Sequence, residues 1–240
     1  MKKMLIIVSV LFLAAGGFAP AYSMYFDVWG LDTDMNQTYM GTISDYVGDL
    51  APDVNYNYYS ASGHPTNGPT PTGYQAFLWM YWMMPQPDAR DGMLSFNMIH
   101  DVDGGGSPDN IVHWDLFFYN TSYNVLLQDD SGEGIGGFND LGGGHMEADF
   151  HYWYNTDGGV IGVDKPVCGQ GWGIRMKPGD LGDINALTMA SADGNHISLM
   201  DRRFDSYMLT AHCPEIPEPA TLFLLGTGLL AGAGFLRRRK

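Results

Sequence analysis

Residues 146–155 read MEADFHYWYN. Met146, Ala148, Phe150 and Tyr152 fall on one parity; Glu147, Asp149 and His151 fall on the other. A period of two marks a β-strand with one buried face. Residues 111–120 (IVHWDLFFYN) and 92–100 (GMLSFNMIH) alternate in the same way. Between such runs lie glycine-rich stretches and turn dipeptides, and few windows hold a helical period. The chain therefore reads as all-β, with one antiparallel β-sandwich or jelly-roll-like domain.

Working outward, further strands are expected at residues 24–31, 39–47, 122–128, 160–163, 171–177 and 184–190, with weak alternation over 53–59. Residues 73–84 (GYQAFLWMYWMM) are apolar throughout and fit either a buried strand or a short helix, stopped by Pro85 and Pro87. Residues 60–72 and 131–144 read as loops, and Thr156-Asp157-Gly158-Gly159 as a turn. Ser191-Ala192-Asp193-Gly194 reads as a hairpin turn into 196–200.

Both ends differ from this body. Met1–Ser23 opens with Lys2 and Lys3, runs apolar from Met4 to Phe18, and ends in small residues. That is the pattern of a secretory signal peptide. Signal peptidase would cut after Ser23, with Ala21 at −3, or after Ala21 in Ala19-Pro20-Ala21; the alternative is a membrane helix kept in the mature protein. At the other end, Pro217-Glu218-Pro219 precedes the uncharged run Ala220–Leu236, and Arg237, Arg238, Arg239 and Lys240 close the chain. A run of 17 apolar residues can just span a bilayer core as a helix. The terminal cations favour leaving that end in the cytoplasm.

This tail resembles the PEP-CTERM sorting signal: Pro-Glu-Pro, a short apolar helix, a basic cluster. The resemblance implies a Gram-negative, exopolysaccharide-producing bacterium. It implies processing near Pro217-Glu218-Pro219 by an exosortase in the inner membrane, followed by release to the cell surface or extracellular space. The bland alternative is a plain C-terminal anchor. The expected division is signal peptide 1–23, β-sandwich 24–214 and sorting signal 215–240.

Without the basic ends, six lysines and arginines face 27 acids, a net charge of −21. Such a body is soluble and excludes nucleic acid as a partner. About 190 residues suffice for one real core. The cysteines, Cys168 and Cys213, are expected to pair in an oxidising compartment.

Three stretches carry candidate chemistry. Asp101–Asn110 (DVDGGGSPDN) resembles the calcium loops of thrombospondin type 3 repeats. Asp101, Asp103 and Asp109 match carboxylate ligands, but Gly105 stands where another belongs, and Val112 excludes an EF-hand. The loop is a calcium site or an acidic connection that binds nothing; calcium is the one cofactor suggested, and no cofactor is required. His145, Glu147, Asp149 and His151 share one strand face and offer transition-metal ligands, or simply a solvated face. Alternate side chains stand about 6.5–7 Å apart, so four in a row diverge from a single ion. Asp115, Glu147 and Asp149 beside Trp114, Tyr152 and Trp153 are the residues a glycosidase would use.

Of Trp29, Trp79, Trp82, Trp114, Trp153 and Trp172, at least four are expected in the core. An exposed aromatic row on one sheet face would favour carbohydrate binding. The reading is a non-enzymatic structural or adhesive surface protein associated with exopolysaccharide. The alternatives are a calcium-dependent carbohydrate-binding module and a surface glycoside hydrolase.

Overall fold

The structure, a computed structural model, describes residues 23–57, 65–71, 73–85, 92–101, 111–129, 137–151, 157–201 and 203–213. Two sheets form. The first orders β2 (Gln37–Ser44), β1 (Tyr25–Leu31), β14 (Ser206–Ala211), β11 (Gly173–Pro178), β6 (Ile111–Tyr119), β9 (His145–His151) and β8 (Gly137–Gly142). The second orders β13 (Ile197–Ser198), β12 (Ala186–Met189), β4 (Gln75–Met83), β5 (Met93–Asp101), β10 (Asp157–Val163) and β7 (Tyr123–Gln128). β3 (Tyr46–Gly48) also pairs with β4. The all-β expectation holds, but the pairing is not wholly antiparallel. β4 carries two parallel partners end to end, β12 along Gln75–Leu78 and β3 along Tyr81–Met83.

The alternation becomes the core. On β6, Val112, Trp114, Leu116 and Phe118 point inward; on β9, Met146, Ala148 and Phe150 do the same. They meet Ala76, Leu78, Met80 and Trp82 of β4 and Leu94, Phe96 and Met98 of β5. A one-residue slip of β6 would turn its four core side chains to water. At about 1.5–3 kcal/mol each, that is comparable to the whole stability of a domain. The register is fixed by that cost.

β4 could not be distinguished from a helix by period because both its faces are buried. Its other face, Trp79, Tyr81 and Met83, packs with Tyr56, Ile99 and Val160 in a second cluster. Tyr56 comes from the short helix α1 (Pro52–Tyr56), which replaces the weak alternation read over 53–59. Pro52 suits the first turn and Asn57 ends it in the left-handed conformation, φ 59° and ψ 48°. The buried Asn55 side chain binds the main chain of Asn67 at 2.9 and 3.1 Å, tying the helix to the following loop.

Three more readings need correction. The stretch 131–144 is not all loop. β8 occupies Gly137–Gly142 and turns into β9 through Gly143 and Gly144, φ 64° and 82°, as a tight two-residue hairpin needs. Asp157, Gly158 and Gly159 are strand rather than turn. A Cβ on Gly158 would lie 2.1 Å from the Met98 carbonyl oxygen, so glycine there allows backbones to approach. The expected strand 39–47 is two strands, because the chain leaves the first sheet at Ser44 and joins the second at Tyr46.

One polar bridge crosses the core. The Trp114 indole N–H donates to His100 Nε2 at 3.1 Å. That leaves His100 Nδ1–H to donate to the Asp157 carbonyl, also at 3.1 Å. His100 is fully buried, and burial drives its pKa down to about 4.

Two outcomes follow from this packing. The unfolded imidazole titrates near 6.5 and the folded one near 4, so protons bind the unfolded chain first. Stability present above pH 6.5 should fall by about 3 kcal/mol as pH drops toward 4. Urea titrations across that range should show this loss as the difference between the wild type and His100→Gln, the background pH dependence of the carboxylates being common to both. Gly158→Ala should destabilise by about 1–3 kcal/mol, read as a lower urea midpoint, because the carbonyl beside it is backbone and cannot rotate away.

Candidate functional site: the open face of the first sheet

Burial on both sides leaves the second sheet little free surface around β4, β5 and β10. The first sheet keeps an outer face, where alternate residues of β1, β14, β11, β6 and β9 are half-buried or exposed. This face collects many of the residues singled out from the sequence.

On β6 and β9 those residues pair across strands and do not cluster on one ion. His113 Nδ1–H donates to Asp149 Oδ1 at 2.6 Å, and His145 Nε2–H donates to Asp115 Oδ1 at 2.8 Å. Asn139 Nδ2 reaches Glu147 Oε2 at 3.4 Å. His151 closes β9 opposite Ile111. Among the described residues no three His, Cys, Asp or Glu side chains converge as a metal site. Phe117 is stacked on one side by His145, centroids 4.4 Å apart, and contacted by Arg175 at 5.1 Å.

The proposed hydrolase grouping is only partly assembled. Asp115 and Glu147 are direct cross-strand partners. Trp114 faces the core and is fully buried, so it does not stand beside Asp115; adjacent residues on a strand point opposite ways. Tyr152 and Trp153 lie outside the described residues. Asp101 ends β5 opposite Gln75, while Asp103 and Asp109 lie outside the described residues, as do residues 1–22 of the leader, Pro217-Glu218-Pro219 and Arg237–Lys240. No described helix is long and apolar enough to cross a membrane.

A second group lies at the β1–β2 edge, and sequence reading did not find it. In β1, Tyr25, Asp27 and Trp29 point outward. The β1–β2 register slips between Val28↔Gly41 and Trp29↔Tyr39, leaving Met40 as the extra residue of a bulge. Tyr39 and Thr42 differ by three positions and would face opposite ways on a regular strand. The bulge brings them to one face, where the Tyr39 hydroxyl and Thr42 Oγ1 are 2.7 Å apart. Thr42 Oγ1–H donates to Asp27 Oδ1 at 2.7 Å, and His212 Nδ1–H donates to the same oxygen at 2.8 Å. The Trp29 indole N–H donates to Thr210 Oγ1 at 3.0 Å, with the Tyr39 ring edge-on at 5.2 Å.

The result is a polar centre flanked by aromatics. Tyr25 is 48% exposed and Tyr39 53%, while Trp29 is half-buried. Four tryptophans, Trp79, Trp82, Trp114 and Trp172, are core as expected.

Sequence reading also missed a hydroxyl cluster at the sheet crossover. Ser191 Oγ–H donates to Asp193 at 2.6 Å, and the hydrogen bond holds that carboxyl below its usual range. Ser44 N–H donates to Ser191 Oγ at 2.9 Å, and Ser191 N–H to His196 Nδ1 at 3.0 Å. No serine hydroxyl here is hydrogen-bonded to the imidazole, so this is a clamp on the 191–196 turn, not a nucleophile with its base.

The body closes on itself beside this face. Cys168 and Cys213 lie at disulfide distance, Cα atoms 5.7 Å apart, 45 residues apart in sequence. The His212 N–H donates to the Tyr25 carbonyl at 2.9 Å, so the last strand ends where the first begins.

Residues 215–240 match the PEP-CTERM protein-sorting motif. No curated protein and no solved structure matches the chain. The motif marks an exosortase-sorted protein that passes through membrane-associated sorting to the cell surface. The body in front of it has no family assignment.

Reducing the Cys168–Cys213 pair should lower stability by about 3–4 kcal/mol, from the entropy of the 45-residue loop it closes. Thermal melts of the wild type and the double Cys→Ser variant, with and without dithiothreitol, should show the wild-type loss only.

Proposed function

We propose that this exported body is a non-enzymatic surface or matrix component that holds exopolysaccharide on the outer face of its first sheet. The observation that carries this reading is the Tyr25–Trp29–Tyr39 group around Asp27 and Thr42. Exposed flat rings present C–H-binding faces, and a fixed carboxylate and hydroxyls accept and donate hydrogen bonds; sugars offer both kinds of surface. Tyr25 and Trp29 stand four residues apart on one strand, roughly 13 Å, with Asp27 between them. That is an elongated footprint, suited to a chain of sugars more than to a single ring. The PEP-CTERM motif supports the setting, because it directs the protein to the surface where such polymers lie.

On this reading the His–Asp pairs of β6 and β9 are a paired, solvated face that continues the contact surface. Calcium held by Asp101, Asp103 and Asp109 would be an accessory to binding. A melt with and without calcium tests that part, and an unchanged melting temperature removes it.

Affinity electrophoresis or calorimetry against exopolysaccharide isolated from the producing cells tests the main claim. The wild type should bind without releasing reducing sugar. Trp29→Ala and Tyr39→Ala should each weaken binding by roughly tenfold. Tyr39→Ala should leave the melting temperature nearly unchanged, while Trp29→Ala should lower it through the lost Thr210 bond, with the fold retained. Equal affinity in both variants, or steady sugar release, would count against the proposal.

A further inference from the structure

The candidates outside the site already described are the cavity beside Trp82 and Lys165, the Ser191 clamp, and the start of β1. The last carries an inference. Met24 precedes β1 and is half-buried, while Ser23 before it is exposed. The Met24 N–H donates to Asp45 Oδ1 at 2.9 Å, and the Asp45 N–H donates back to the Met24 carbonyl at 3.1 Å. Asp45 is 1% exposed. Its second oxygen, Oδ2, has no hydrogen-bond partner among the described residues. A buried carboxylate with one idle oxygen is costly unless a cation is beside it.

We propose that Met24 is the mature N-terminus, and that its α-ammonium, created when the leader is removed at the Ser23–Met24 bond, is the ion partner for which the buried Asp45 carboxylate is placed. This rests on reading residues 1–23 as a leader. Hydrolysis adds water across the peptide bond: Ser23 leaves with a carboxylate, and Met24 keeps an amine that is protonated at neutral pH. The amide nitrogen of the precursor offers one N–H; the ammonium offers three and a full charge. One N–H keeps Oδ1, and the idle Oδ2 of the same carboxylate takes another in a charge-assisted bond.

The surroundings support the assignment. Asp45 sits where the chain passes from β2 to β3, between Ser44 and Tyr46, whose side chains bind Ser191. Facing only an amide, the carboxyl is pushed up to about 7 by burial, against the Met24 and Asp45 backbone N–H groups and the charge of Lys165. An adjacent ammonium would return it to the ionised form. The pair would then hold the first strand of one sheet to the link that enters the other. Folding would be completed only after export has removed the leader.

The test uses the exported chain. N-terminal sequencing of the processed protein should begin at Met24; a start at Tyr22 would overturn the choice of bond, and an uncut leader would overturn the processing step. A variant with Ser-Gly inserted between Ser23 and Met24 is cut at the same motif but carries its amine two residues away. Its unfolding equilibrium constant at pH 7 should be at least tenfold larger than that of the processed wild type. In an Asp45→Asn background the insertion should make no difference. Equal stability of wild type and insertion variant, or a difference that survives Asp45→Asn, would overturn the pairing. If Asp45→Asn does not fold, acylation of the α-amine at neutral pH decides: slow in the wild type and fast in the insertion variant is expected, and equal rates would overturn it.

Discussion

Each sheet has two faces, and the two sheets share one core. That constraint governs where this protein can do anything. β6 and β9 of the first sheet give alternate side chains to the same cluster as β4 and β5 of the second. The second sheet then loses its other face around β4 to α1 and the Tyr56–Trp79–Tyr81 cluster. What is left is the outer face of the first sheet, where the polar half of its own alternating strands must stand. A pattern that exists to satisfy burial therefore also presents an ordered, chemically mixed surface.

The ordering on that face comes from register. His113 meets Asp149 because they are direct partners on β6 and β9, and His145 reaches Asp115 diagonally. The same cross-strand geometry separates the carboxylates and imidazoles into pairs. Two pairs in series make a surface with fixed donors and acceptors. At the other edge a bulge does similar work: one extra residue, Met40, puts Tyr39 and Thr42 on one side of the sheet. The ligand-like group of Tyr25, Asp27 and Trp29 depends on that irregularity for its partners.

These origins explain what the sequence could tell and what it could not. β6 and β9, with one wet face, were legible because their period is two; β5 is buried on both faces but kept the period because Ser95 and Asn97 alternate with its core side chains. β4 was ambiguous because burial on both faces erases the period. Glycine misled twice, and for different reasons. In β8 it flanks a short strand and supplies the hairpin turn, while Gly158 sits mid-strand because the Met98 carbonyl leaves no room for a Cβ. The split of 39–47 into β2 and β3 falls at Asp45, a buried acid between the two strands that hydrogen-bonds with the main chain of Met24. The Cys168–Cys213 pairing was legible because two cysteines allow one disulfide. The aromatic group was not, since its members come from β1, β2 and the end of β14, and a bulge sets one of them.

β1 and β14 are antiparallel neighbours, with Phe26 opposite Ala211. The start of the body and its finish therefore lie side by side, tied by the His212–Tyr25 hydrogen bond and, one residue on, by Cys213. A leader attached before Met24 and a sorting motif attached from residue 215 would leave the same corner of the first sheet. His212 and Tyr25 also belong to the edge of the aromatic group. The corner where the described body begins and ends is therefore also one end of the aromatic group, because Tyr25 and His212 belong to both.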